Sequence, residues 1–229
     1  LWVNLTAAPV GLCGYAASTD GTNIYYYGGT NTAGVASSAM YKYIVASDSW
    51  ETMVAAGADA RHGCAMAYNT TAGKFYIFGG GPVFGTSSAV STIITYDPSG
   101  TGTAGTDTTG NANGGVGKYF GATINNGVTN YLWTLGGFEG YLLNTSPAAT
   151  VGTVTSSFSA IRSGFGSDLW QYDPNTSPYW SNNVGEVVGV GGRAMMGFAG
   201  IGSNMYVVGG STKDAAFTDN FYRIDLDSL

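Results

Sequence analysis

Side chains that could act as nucleophiles, general bases or metal ligands are scarce in this sequence. It contains one histidine, His62, two cysteines, Cys13 and Cys64, and only three glutamates. A structural zinc site usually takes four Cys or His ligands, more than the chain has. A catalytic triad would have to use His62, and no Gly-x-Ser-x-Gly turn is present. We therefore predict no metal, no cofactor and no enzymatic activity; a carbohydrate-active enzyme using carboxylates from distant segments remains the enzymatic alternative.

Composition and charge exclude several classes of protein. Hydrophobic residues make up 44% of the chain and charged residues 10%, a balance that favours a folded domain over a disordered segment. The sequence has no apolar run of about 18 residues, so we predict no membrane span. A net charge of -6 argues against a nucleic-acid surface. Scarce lysine with abundant Ser and Thr favours an extracellular or surface-exposed location.

Four Asn-x-Ser/Thr sequons are candidate N-glycosylation sites, on the condition that the chain is secreted. They begin at Asn4, Asn69, Asn144 and Asn175. We expect Asn69, Asn144 and Asn175 to lie in loops, where such sites are modified. Pro178 follows the Asn175 sequon and weakens it.

The elements that must position these residues are repeated. Four segments of aromatic and β-branched residues each end in a double glycine, and each predicts a β-strand closed by a turn. The double glycines are Gly28-Gly29, Gly79-Gly80, Gly136-Gly137 and Gly209-Gly210, at intervals that lengthen along the chain. An aromatic residue precedes the first glycine by three positions each time, at Tyr25, Tyr76, Trp133 and Tyr206.

Two further signals recur in the same order. An aromatic segment follows each double glycine, as in Tyr41-Lys42-Tyr43 with Trp50 downstream, or Tyr172-Asp173-Pro174 with Trp180. A basic residue opens three of the units, at Arg61, Lys118 and Arg193. Together the double glycine, the aromatic before it, the Tyr-Asp-Pro turn and the tryptophan resemble the kelch repeat family over nearly the whole chain.

This resemblance implies an all-β fold in which each repeat is a four-stranded blade of a β-propeller. We predict one domain, residues 1–229, with four kelch-like blades at approximately 10–60, 61–117, 118–192 and 193–229 plus 1–9. The second unit lacks the tryptophan, and the third carries an insertion at residues 138–167. Blades stack because a four-stranded sheet cannot cover both of its faces alone.

We expect the ring to be closed by the N-terminal strand. If the chain ends are joined on paper, Trp2 follows Ile224 at the same interval at which Trp50 follows Tyr43. The N-terminal strand would then be the outer strand of the last blade and would cover its edge. Two alternatives stay open: the chain is one period of a longer tandem array, or two chains share a larger ring.

The resemblance also suggests a place for the cysteines. Cys13 precedes Gly28 by the same interval by which Cys64 precedes Gly79, which would give them equivalent positions on the innermost strands of neighbouring blades. One hypothesis is a Cys13–Cys64 disulfide formed in an oxidising compartment. The alternative is two small buried thiols near the axis.

Ligand binding is predicted at one mouth of the central channel. By analogy with kelch propellers, Arg61, Lys118 and Arg193 would surround it and could receive a carboxylate. The insertion at 138–167 would share that face and contribute Phe138, Tyr141, Phe158 and Arg162. The alternatives are that the basic residues pair with backbone groups and that the insertion aromatics cover a blade edge. His62 is expected to be structural.

The function predicted from these features is a non-enzymatic extracellular or surface module. It would act in binding or structure through contacts with a protein partner or with copies of itself. A glycan-binding, lectin-like propeller is the alternative.

Overall fold

Nearly all the regular structure in the described part of the chain is β-strand. The computed structural model describes residues 2–53, 59–82, 90, 92–99, 103–107, 121–125, 127, 131–137, 168–175, 180–186, 192–212 and 217–229. Within these residues the other regular elements are 3₁₀ turns at Val45–Ser47 and Leu226–Ser228. The predicted all-β class is therefore confirmed. No helix among the described residues is long and apolar enough to cross a membrane.

The strands form small antiparallel sheets, and in the three four-stranded sheets each strand pairs with its neighbour in the chain. Three sheets have four strands each: the first holds β1 (Cys13–Thr19), β2 (Ile24–Thr30), β3 (Met40–Ile44) and β4 (Ser49–Met53), the second β5 (His62–Asn69), β6 (Lys74–Gly81), β7 (Ile93–Asp97) and β8 (Thr103–Asp107), and the third β9 (Ala122–Asn125), β10 (Leu132–Leu135), β11 (Asp168–Tyr172) and β12 (Trp180–Glu186). The fourth sheet has three strands: β14 (Gly197–Ile201), β15 (Asn204–Val208) and β17 (Phe221–Asp225). The same part of the chain also forms a two-stranded sheet, in which β13 (Arg193–Ala194) pairs with β16 (Ser211–Thr212).

In the three four-stranded sheets and in the fourth sheet, a double glycine lies at the end of the second strand, in a backbone conformation that other residues rarely adopt. All eight glycines have φ between +63° and +98°. Glycine reaches this left-handed region without a steric penalty, because it has no Cβ. At Gly28 there is also no room for a side chain, since a Cβ there would lie 2.2 Å from the carbonyl oxygen of Arg61.

Consecutive sheets pack on each other through alternating residues of their second strands. We call the side of a sheet that is turned toward the next sheet in the chain its forward face, and the opposite side its backward face. Tyr25 and Tyr27 on the forward face of the first sheet pack with Phe75 and Ile77 of the second. In the same way, Tyr76 and Phe78 of the second sheet pack with Leu132 of the third. Trp133 and Leu135 of the third sheet pack with Met205 and Val207 of the fourth. The first strands β1, β5, β9 and β14 contact one another in that order.

The N-terminal segment does not close a ring within the chain. Residues 2–8 form no strand, and among the described residues the last strand of the fourth sheet, β17, has β15 as its only neighbour. The segment is bound to the first sheet instead: Thr6 N–H donates to Asp48 Oδ1 over 2.9 Å, and Trp50 Nε1–H donates to the Thr6 carbonyl over 2.9 Å. These two bonds correct the prediction, because they hold the segment on the opposite end of the row of sheets.

Candidate interaction surface

Arg61 is a buried structural residue. Its side chain has no exposed surface, and its Nη1 donates to the carbonyls of Gly79 (3.1 Å) and Thr92 (2.7 Å). Its own carbonyl accepts a hydrogen bond from the N–H of Gly29 over 2.8 Å. Arg61 therefore ties the double glycine of the first sheet to that of the second.

Arg193 makes the equivalent link between the third and fourth sheets. Its Nη1 donates to the Gly209 carbonyl over 3.2 Å, and its own carbonyl accepts from the Gly137 N–H over 2.8 Å. The guanidinium also lies 4.9 Å from the centre of the Tyr222 ring, within the range of a cation–π contact. Arg193 is buried as well.

The structure therefore contradicts ligand binding by these two arginines, since both guanidinium groups are buried and directed at backbone carbonyls. Their pairing with backbone is the structural alternative that the sequence left open. The other predicted ligand-binding residues, Lys118, Phe138, Tyr141, Phe158 and Arg162, lie outside the described residues.

His62 is buried beside Arg61 at the start of β5, where it pairs with Gly81 in the sheet. Burial lowers the pKa of its imidazole to about 4, so the side chain is neutral at pH 7. A buried neutral histidine at a strand end supports the structural interpretation. No group of three or more His, Cys, Asp or Glu within the described part of the chain is arranged to hold a metal ion.

The two cysteines are both free thiols, so the hypothesis of a Cys13–Cys64 disulfide is wrong in this structure. Their equal spacing from the glycines does not give them equivalent positions in the sheets. Gly28 pairs with Tyr15, two positions after Cys13, whereas Gly79 pairs with Cys64 itself. The strands of the second hairpin are therefore longer, by one position each, and Cys13 is displaced outward to pair with Thr30.

Thiol alkylation should distinguish the two cysteines. Cys13 is exposed, while Cys64 is buried, with its thiol near the Tyr27 carbonyl, and burial raises its pKa to about 11. Because alkylation needs an accessible thiolate, iodoacetamide at pH 8 should add one group to the native protein and a second only after unfolding in urea. The intact mass of the protein gives the number of groups added in the native and in the unfolded state. If no group is added in urea without reductant, the two cysteines form a disulfide, and their assignment as free thiols is wrong.

Burial also decides between the predicted glycosylation sites. Asn69 is the last residue of β5 rather than part of a loop, and it is fully buried. Its Oδ1 accepts hydrogen bonds from the N–H groups of Thr71 (3.0 Å) and Ala72 (2.9 Å), which shapes the hairpin turn. Asn69 therefore cannot carry a glycan in the folded chain. Asn4 and Asn175 are exposed, and Asn144 lies outside the described residues.

The forward face of the fourth sheet carries apolar side chains in contact with solvent. Tyr206 and Val208 occupy the positions that Tyr25 and Tyr27 hold in the first sheet, yet Val208 is 45% exposed and neighbouring Phe221 is 67% exposed. The rings of Tyr206 and Phe221 stack with their centres 6.0 Å apart. Three sheets bury this face against the next sheet, and the fourth leaves it open.

The backward face of the first sheet is the other open face. Tyr26 contacts the rings of Tyr15, Tyr41 and Trp50 at 5.2, 4.9 and 5.3 Å between centres. Tyr15 is 49% exposed, and Ile24 on the same face is 44% exposed. We call these two surfaces, one at each end of the row of sheets, the open faces.

Sequence reasoning missed the open faces, although one signal for them was visible. The aromatic three residues before each double glycine turns out to mark the forward face of every sheet. Tyr206 is this aromatic in the fourth sheet.

Comparison with known proteins places the fold and leaves the function open. No protein-family model matches the chain, and no curated protein does. Among solved structures, that of YjhT matches 97% of this chain with a TM-score of 0.70 and 19% sequence identity. This similarity shows a shared fold. The chain spans 65% of the length of YjhT.

Proposed function

We propose that this protein is a four-bladed kelch-like propeller module that binds other proteins and has no enzymatic activity, and that it works outside the cell or at its surface. The kelch resemblance is supported by the left-handed double glycine at the end of the second strand in the three four-stranded sheets and in the fourth sheet. It is also supported by the order in which the sheets pack, with their first strands in succession.

The observation that carries the binding proposal is the open forward face of the fourth sheet. Tyr206, Val208 and Phe221 stand where the other sheets bury aromatic and aliphatic side chains. Removing apolar surface from water contributes about 25 cal/mol per Å². Aromatic residues grouped on an exposed patch are typical anchors of protein contacts. The chain therefore has a surface suited to a partner that presents a complementary apolar face.

Charge substitution on this face tests the proposal. The protein, immobilised, is exposed to the secreted and surface proteins of its own source, and captured proteins are identified by mass spectrometry. We expect Phe221→Asp to lose the captured partner, because a carboxylate cannot be buried without a counter-charge. Val45→Asp, at an exposed turn of the first sheet, is the matched control and should keep it.

Two results would contradict the proposal. One is capture that Phe221→Asp leaves unchanged, which would place binding elsewhere on the chain. The other is binding to a glycan array with no protein captured, which would indicate the lectin-like alternative.

A further inference from the structure

We draw no further inference here: the strongest candidate, the aromatic patch around Tyr26 on the backward face of the first sheet, carries none because nothing in the structure shows what covers it.

Discussion

Replacing Gly28 with alanine should destabilise the protein by about 4 kcal/mol, near the upper end of what single substitutions do. Two effects add. The backbone there has φ of +74°, which costs an L-residue about 1 kcal/mol. The new Cβ would also lie 2.2 Å from the Arg61 carbonyl oxygen, a rigid backbone atom that already accepts the Gly29 N–H. The first and second sheets would have to separate.

Gly34→Ala is the matched control for this substitution. Gly34 has nearly the same φ, +75°, but nothing lies within 4 Å of the place its Cβ would occupy. It should therefore cost about 1 kcal/mol, from backbone strain alone. Urea unfolding followed by tryptophan fluorescence measures both variants. Equal losses at the two positions would show that the sheets do not approach as closely as the structure has them.

Replacing Arg61 with methionine should cost about 3 kcal/mol of unfolding free energy. Methionine keeps much of the volume but leaves the buried Gly79 carbonyl and the partly buried Thr92 carbonyl without the donor they now have. Each buried acceptor left without a partner costs about 1–3 kcal/mol. The partial exposure of Asp59, the ion-pair partner of Arg61, limits what the lost charge pair contributes.

Two further variants separate donor geometry from charge. Arg61→Lys keeps the positive charge, but a single ammonium cannot reproduce the planar fork of donors, so we expect about half of the loss to remain. Arg223→Met, at an exposed position of β17, should cost less than about 0.5 kcal/mol. The same urea titrations compare all three. An Arg61→Met variant as stable as Arg223→Met would contradict the structural role and reopen ligand binding.

Local features of this fold could be predicted from sequence because they depend on neighbours in the chain. A run such as Tyr25-Tyr26-Tyr27 before two glycines favours a strand, and glycine adopts the left-handed φ that follows it without a steric penalty. The repetition of that pattern in four units predicted the four hairpins that the double glycines end. The all-β class follows from the same residues.

Other features depend on strand lengths and on contacts between sheets, which cannot be read from the sequence. The position of Cys64 depends on the length of its hairpin, and one extra position in each strand of that hairpin undid the predicted disulfide. Arg61 directly precedes β5, and Arg193 opens β13. Whether a guanidinium there points outward or into the molecule depends on which carbonyls the neighbouring sheet brings near it.

The sequence by itself determined where strands and turns lie, because hydrophobic alternation and glycine conformations are local properties of the chain. The tertiary structure alone decided which faces are covered. It buried Asn69, Arg61 and Arg193, held Thr6 on Asp48 and Trp50, and left Val208 and Phe221 exposed. The physical reason is that coverage depends on contacts between segments far apart in the chain, such as residues 6 and 48. The open faces that result are the surfaces on which the proposed binding depends.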